Sequence, residues 1–591
     1  MSRGSSLAGF GLCMQNVQSS LTPAPRVLLL NRRSPQKPRE PANYDDLIVK
    51  GVQKRDCPPA FFGGCRKRAS SPRCWQKNAA KRTFSCADHQ SLFLHGDASL
   101  SFRFIPSMRC LLLSLLFAGT ALADIKPATF DFGAIRDITT LETKVIQDWQ
   151  SVATIKGAKQ KLVEITVCEW WPGQKVRLPV TFCVPDSGKP CTNVIVGNMG
   201  LALKPAQPPS AMLKLLTENG VGIVLIGMST IDSMEPKGTL HLGMKNHLLK
   251  EKDARYTPAW IWGMSDMRAL TAAMAESGAF DPQKVLATGG SKRGVGAAIC
   301  GIHDHRFTAV LPVVAPILGN PGGAYVRGSA LKEEAAMNAA FLEQLPPGPN
   351  FLGLPDTTRA ALVERDKTRA NQSISIDDAV AAGWSVEEIA QMNDAAWEAC
   401  LTAKHLGAVR ERGLEFFYHV GTNDNVCPAL LRLGELVPDF PIYILPGGQH
   451  GGPRSSGFTL QTPSQREAEE NVLAFARYHF FRDRSLPAAA TLKLFTAEGR
   501  HQLKVVVNLP QGLNVQRNIV SWCFDRHPSY TYAMEYDHWE SMELSPNSDG
   551  TFTAEIVVPA SAKTVDVVST HTHEENGLPF HFSSSYCRWS R

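Results

Sequence analysis

The stretch Thr288-Gly289-Gly290-Ser291-Lys292-Arg293-Gly294 limits what this chain can fold into more than any other. It follows the apolar run Lys284-Val285-Leu286-Ala287 and leads into Val295-Gly296-Ala297-Ala298-Ile299, so it reads as a strand passing through a tight turn into a helix. A serine at the head of such a turn sits on strained backbone with its hydroxyl exposed, and flanking glycines keep side chains from colliding there. Gly289 and Gly294 suit those two roles. The second residue after the serine, glycine in the tightest form of the motif, is Arg293, so the match is to G-x-S-x-x-G. A glycine-rich turn that cradles phosphate in another strand-helix sheet fits the same heptapeptide.

Two later loops separate these readings. An activated serine needs a base and an acid, and in an α/β-hydrolase they follow it in the order acid then histidine, each on the loop after a later strand. The strand-like run Glu415-Phe416-Phe417-Tyr418-His419-Val420 opens into Gly421-Thr422-Asn423-Asp424, and Pro441-Ile442-Tyr443-Ile444-Leu445-Pro446 opens into Gly447-Gly448-Gln449-His450-Gly451-Gly452. Asn423 and Asp424 could be turn-formers bonding their own backbone. A histidine among four glycines is harder to explain structurally. The order predicts Ser291 as nucleophile, Asp424 as orienting acid and His450 as general base.

The surrounding pattern predicts the sheet. Leu162–Val167 and Val176–Phe182, joined by Trp170-Trp171-Pro172-Gly173, read as an antiparallel hairpin. Asn193–Val196, a helix near Ser210–Thr217, and Gly222–Ile226 then alternate as in a mainly parallel sheet covered on both faces. The loop Gly197-Asn198-Met199-Gly200 reads either as a plain turn or as one side of an oxyanion hole, with the N–H of Asn198, Met199 or Gly200 acting alongside that of Lys292. Arg255–Met264 reads as an aromatic loop ending at Ser265, the expected N-cap of a helix over Asp266–Glu276. Trp260 and Trp262 are candidate substrate contacts there, with core packing the alternative. Arg293 could bind a substrate carboxylate, or turn back into a structural ion pair. Residues 320–413, rich in Ala, Glu, Leu and Gln, read as a helical cap, and the helix Arg466–Phe481 closes the sheet. After Pro487 short β-like runs predict a β-sandwich, immunoglobulin-like, over residues 486–591. The fold class expected is α/β: an α/β-hydrolase sheet over 124–485 with a helical cap insertion, plus that sandwich.

Net charge is misleading here. Residues 1–107 hold 17 Lys+Arg against 6 Asp+Glu, so the formal +7 of the chain becomes about −4 beyond them, and a nucleic-acid partner is not indicated. Those residues lack apolar periodicity and read as a disordered, mis-assigned extension. Met108-Arg109-Cys110, an apolar core and Ala121-Leu122-Ala123 then read as a signal peptide over 108–123, too short for a stable membrane anchor. A genuine basic arm ahead of a membrane anchor is the alternative. Export permits disulfides, and Cys183 and Cys191 flank a turn as candidate partners, with free buried thiols the other reading. His303-Asp304-His305 and His571-Thr572-His573 lack further ligands at metal spacing and read as solvated, so neither metal nor cofactor is expected.

Ser291-Lys292-Arg293-Gly294 on its Gly-Gly lead-in, with Asp304-His305-Arg306-Phe307, Val310-Leu311-Pro312-Val313-Val314 and Pro446-Gly447-Gly448-Gln449-His450, resembles the PhoPQ-activated pathogenicity-related family. The resemblance implies a secreted protein of α/β-hydrolase type with a terminal β-rich domain. Val295-Gly296 stands where that family is expected to carry Trp-Thr. The glucuronoyl esterase group is a more distant likeness, through the basic residue, here Lys292, directly after the serine. The expected activity is hydrolysis of a small-molecule or carbohydrate-linked carboxylic ester by an exported, secreted or periplasmic, enzyme. A non-catalytic secreted binding protein on the same fold, or a peptidase, is the alternative.

Overall fold

The computed structural model describes residues 125–228, 240–319, 326–327, 374–424, 426, 429–450, 464–496, 501–527, 534 and 537–591. The expected extension and signal peptide lie outside them, as do 320–325 and 328–373 of the expected cap. Among the described residues no helix is long and apolar enough to cross a membrane.

The hairpin forms as expected but is longer: β2 (Ala158–Trp171) and β3 (Gln174–Pro185) flank the turn Pro172-Gly173, and β1 (Lys144–Ser151) adds an antiparallel edge outside β2. Next come β4 (Cys191–Met199), α1 (Ser210–Asn219), β5 (Gly222–Gly227), α2 (Leu240–Glu251), α3 (Pro258–Ala275), β6 (Phe280–Gly290), α4 (Lys292–His303) and β7 (Ala309–Val313). After α5 (Val386–Glu398) the core resumes with β8 (Glu415–Phe416), β9 (Tyr418–Gly421), α6 (Leu430–Leu436), β10 (Ile442–Leu445) and α7 (Ser464–Phe481). The strand order is β1-β2-β3-β5-β4-β6-β7-β9-β10, with β8 also paired to β7, and β5 through β10 run parallel.

Side-chain alternation splits the core in two. Val194, Val196, Val224, Ile226, Val285 and Ala287 pack with α3 and α4 on one face. Their neighbours Ile195, Ile223, Leu225 and Leu286 pack with α1 and α7 on the other. Successive residues of a strand point to opposite faces, so strands buried on both sides read as unbroken apolar runs. The resulting core, a parallel sheet covered on both faces behind an antiparallel hairpin, is α/β-hydrolase-like.

β5 lies on one side of β4 and β6 on the other. The order reverses there, and open α/β sheets bind their ligands outside the carboxyl ends of the strands at such a point. The turn after β6 begins with Ser291.

The same topology overturns the expected disulfide. Cys183 and Cys191 are free and buried, because β5 lies between β3 and β4. Two strand spacings are about 9.5 Å, beyond the Cα separation of about 7 Å that a disulfide can bridge.

The aromatic loop is a helix. α3 begins at Pro258, so Ser265 is mid-helix and its hydroxyl donates to Ile261 O at 2.7 Å. Trp260 and Trp262 are buried; Trp260 Nε1 donates to Thr129 O at 2.8 Å and its ring stacks on Phe130 and Trp170. The histidine pairs are not all solvated either. His571 and His573 are buried, and His303 bonds Ala399 O at 3.0 Å, while His305 is exposed. No cluster of metal-ligating side chains occurs among the described residues.

The described part of the expected cap comprises Ile376–Ala381, α5 and Leu406–Glu411. Its anchors are Trp384 Nε1 donating to Leu249 O at 2.9 Å and an ion pair of Glu388 with Lys252.

Beyond α7, one antiparallel sheet holds β11 (Thr491–Thr496), β12 (Gln502–Asn508), β15 (Ser545–Pro546) and β16 (Phe552–Val557). A second holds β13 (Val515–Phe524), β14 (Glu540–Glu543), β17 (Thr564–Glu575), β18 (Leu578–Ser583) and β19 (Cys587–Ser590). They share apolar residues such as Val505, Ile556, Val567 and Phe580. β18 is also tied to the α/β core: Asn471 of α7 exchanges hydrogen bonds with the His581 backbone at 3.1 and 2.7 Å, and Ile444 N–H donates to Ser583 Oγ at 2.8 Å.

Candidate active site

Ser291 has φ 60° and ψ −127°, a conformation that side-chain-bearing residues rarely adopt. Its cost is of order 1–3 kcal/mol, sustained only where the surroundings over-determine it. They do so here. Ser291 N–H donates to Val313 O at 2.9 Å, extending the β6–β7 ladder, and Ser291 O accepts from Val295 N–H at 3.0 Å, closing the first turn of α4. The glycines are required by crowding: a Cβ on Gly289 would lie 2.2 Å from Asn198 Oδ1, and one on Gly294 2.7 Å from Val313 O.

The other two residues arrive from neighbouring strands. Asp424 follows β9 and is fully buried; its Oδ1 accepts from Val426 N–H at 2.9 Å. His450 follows β10. The two loops interlock, with Thr422 N–H donating to Leu445 O at 3.0 Å, Asn423 N–H to Gly448 O at 2.9 Å and Gly447 N–H to Thr422 Oγ1 at 2.7 Å. This brings His450 Nδ1 to 3.0 Å from Asp424 Oδ1 and His450 Nε2 to 2.7 Å from Ser291 Oγ. A carboxylate at Nδ1 selects the tautomer with its proton there, which leaves Nε2 free to accept the serine proton.

Lys292 is the first residue of α4, where backbone N–H groups lack intrahelical acceptors. Met199 is not in a loop, because β4 runs three residues further than expected: Asn198 pairs with Ile226 and Met199 with Gly227, and Gly200 is the first residue beyond. Lys292, Met199 and Gly200 therefore stand at the carboxyl ends of the two strands flanking the switch point.

Arg293 turns inward. Its Nη2 donates to Met199 O and Met228 O at 3.2 and 3.4 Å. Beneath it lies Asp266 of α3, which no motif marks, fully buried and accepting from Asn198 Nδ2 at 3.2 Å. Burial pushes its carboxyl well above the ordinary carboxylate range, opposed by the Arg293 charge and the Asn198 amide. Arg293 thus joins a buried polar group that fixes the end of β4, and Trp260 and Trp262 are core residues.

No family model matches the chain, and no curated protein matches it. Among solved structures it is similar to an acetyl xylan esterase from Paenibacillus sp. R4, at 14% identity over 61% of this chain and 99% of that one, with a TM-score of 0.34. A glucuronoyl esterase from Solibacter usitatus aligns at 14% identity over 64% of this chain and 92% of that one, TM-score 0.34. A puromycin-hydrolyzing peptidase of Mycobacterium tuberculosis aligns at 14% identity over 55% and 40%, TM-score 0.30.

Proposed function

We propose that this chain is a serine hydrolase that cleaves carboxylic esters through Ser291, His450 and Asp424. The observation that carries the proposal is the contact chain from Asp424 Oδ1 through the His450 ring to Ser291 Oγ, at 3.0 and 2.7 Å, with the serine at positive φ. Ser291 Oγ attacks the ester carbonyl carbon while His450 Nε2 takes its proton, and Asp424 stabilises the imidazolium. The N–H of Lys292, with that of Met199 or Gly200, holds the developing oxyanion. Collapse expels the alcohol, which receives the proton from His450; water then hydrolyses the acyl-serine by the same route. An ester suits this apparatus better than an amide because an alkoxide needs less proton assistance to leave than an amine.

The wider reading is of an enzyme exported through the leader at 108–123, with an α/β-hydrolase domain over 124–485, a cap over about 320–413 and an immunoglobulin-like sandwich over 486–591. Its affinity with the PhoPQ-activated pathogenicity-related family rests on Ser291-Lys292-Arg293-Gly294 and Pro446-Gly447-Gly448-Gln449-His450. The substrate proposed is a small-molecule or carbohydrate-linked ester.

The test is fluorophosphonate labelling of protein produced from Met108, compared with Ser291→Ala and His450→Ala. Labelling is expected to vanish in the first and weaken sharply in the second, with ester turnover down about 10⁴-fold or more in both. A folded wild-type protein that stays unlabelled would overturn the proposal in favour of a non-catalytic binding role.

A further inference from the structure

We infer that the connection between β13 and β14 braces the hydrolytic apparatus: its residues Arg526, Asp537 and Trp539 hold the loop bearing Asp424, and Asn423 is the positioning residue through which they act. The inference rests on the serine-hydrolase reading above and extends it.

Asn423 precedes Asp424 and is fully buried. Its side chain reaches beyond its own turn. Nδ2 donates to Asp537 O at 2.9 Å, and Oδ1 accepts from Trp539 Nε1 at 2.9 Å and from Thr422 Oγ1 at 3.1 Å. Trp539 is itself fully buried, its ring edge-on to Tyr586 at 6.0 Å, and both belong to the apolar cluster that contains Tyr418 and Val420 of β9. Arg526 supplies a second hold. Its guanidinium donates to Thr422 O and, at 2.8 Å, to Tyr586 Oη, while its Nε lies 3.4 Å from Asp537 Oδ2. The Arg526 and Asp537 side chains are only 4% and 3% exposed, so each offsets the other's buried charge, and His527 Nδ1, 2.5 Å from Asp537 Oδ1, is a second partner of the carboxylate.

The backbone of the acid loop therefore has two kinds of support. Asn423 N–H and Thr422 N–H bond the histidine loop and β10, which fixes the acid relative to the base. Thr422 O and the Asn423 amide bond residues more than a hundred positions later, which fixes both loops to the connection between β13 and β14. Without the second set, buried polar groups of the loop lose their partners and the loop rearranges to recover them. Asp424 moves with it, and a triad hydrogen bond is sensitive to displacements of well under 1 Å.

The experiment compares wild type, Asn423→Ala, Trp539→Phe and Val567→Ala, the last a core truncation in the C-terminal sheets chosen as a stability control outside the acid loop. The readouts are kcat and KM for an aryl ester, melting temperature, and amide hydrogen exchange of residues 421–426. Asn423→Ala and Trp539→Phe are expected to lower kcat about 10- to 100-fold with KM within about 2-fold, and to speed exchange in the acid loop. Val567→Ala is expected to lower the melting temperature while leaving kcat within about 2-fold. In an Asp424→Asn background, Asn423→Ala is expected to cost little more, because its effect passes through the lost carboxylate.

Unchanged kcat in Asn423→Ala and Trp539→Phe, or the same loss in the Asp424→Asn background, overturns the inference. Wild-type labelling against Ser291→Ala reports separately on the hydrolase reading. If that reading fails, unchanged exchange at 421–426 in Trp539→Phe still refutes the bracing.

Discussion

Gly421→Ala tests the interlock between the loops of the proposed acid, Asp424, and the proposed base, His450. Gly421 ends β9 and pairs with Leu445 of β10. A Cβ there would lie 2.1 Å from Gly448 O, 2.4 Å from Gly448 C and 2.9 Å from Gly448 Cα. Non-bonded heavy atoms settle at about 3.5 Å or more, so the two segments have to part by more than about 1 Å. No side chain can rotate to absorb this, because the obstructing atoms are backbone. Gly448 is tethered by its N–H to Leu445 O at 3.1 Å, and its carbonyl accepts from Asn423 N–H at 2.9 Å. Asp424 follows Gly421 by three residues and His450 follows Gly448 by two, so the separation falls between the acid and the base. A 1 Å misplacement costs on the order of 100-fold in rate, and kcat for an aryl ester is expected to fall by about that factor with little change in KM. Overpacking should also lower stability by about 1–3 kcal/mol, which leaves a folded protein to assay. Gly407→Ala is the control: it sits exposed in Leu406–Glu411 with nothing within 4 Å of a new Cβ, and gains helix propensity. A folded Gly421→Ala protein with wild-type kcat, or one altered only in KM, refutes the argument.

Two further outcomes concern the fold. Burial lowers the His303 imidazole to about 4 against an acceptor bond from Ala399, and lowers His419 and His571 to about 3, from an ordinary 6.5. A folded-state value below the unfolded one means that stability is fully present above pH 6.5 and is lost as pH falls toward 4 and 3, at about 1.4 kcal/mol per pH unit for each histidine. Asp266, Glu467 and Asp537, raised by burial, and His527, raised by its bond to Asp537, work in the opposite sense, so the test is read at the imidazoles themselves. Their NMR shifts should stay those of neutral rings at pH 5 in the folded protein, and any of the three titrating near its ordinary value would show that it is protonated within the fold. Burial also pushes the Cys183 and Cys191 thiols up to about 12 and 11. Both should resist alkylation in the native protein, react on unfolding, and appear in non-reducing peptide maps as separate thiols; a Cys183–Cys191 linked peptide would contradict the strand order.

The candidate site was legible in the sequence to the extent that its parts are local. Ser291, Asp424 and His450 each follow a short apolar strand directly, and the glycines around them mark turns where chains approach closely. Their order along the chain was visible without any knowledge of contacts. Boundaries failed where tertiary burial outweighed local pattern. Arg255–Met264 looked like a loop because Pro258 and three aromatic residues interrupt it, yet Pro258 occupies the first turn of a helix buried nearly throughout. Gly197–Met199 looked like a loop because it contains glycine and asparagine, yet pairing with β5 carries β4 through it. Arg293 and Asp266 were illegible as a group, since nothing in either segment indicates that α3 runs beneath the Ser291 turn.

The supports of the acid show why the remainder had no sequence signal. Gly-Thr-Asn-Asp is a turn by composition, and an asparagine in it ordinarily satisfies itself locally. Here the Asn423 amide is matched by one backbone carbonyl and one indole N–H from the C-terminal region, neither of which carries any pattern of its own. Strand periodicity also cannot say on which side of β4 a later strand will join. That choice puts β6 beside β4 with its carboxyl end next to Met199, and leaves β7, β9 and β10 to follow outward in the order that delivers Asp424 and then His450 to the same edge. The chemistry proposed for Ser291 therefore depends on a decision made far from it in sequence, the return of β5 to the hairpin side of β4. Had β6 joined that side instead, the same three motifs would lie on the sheet without converging.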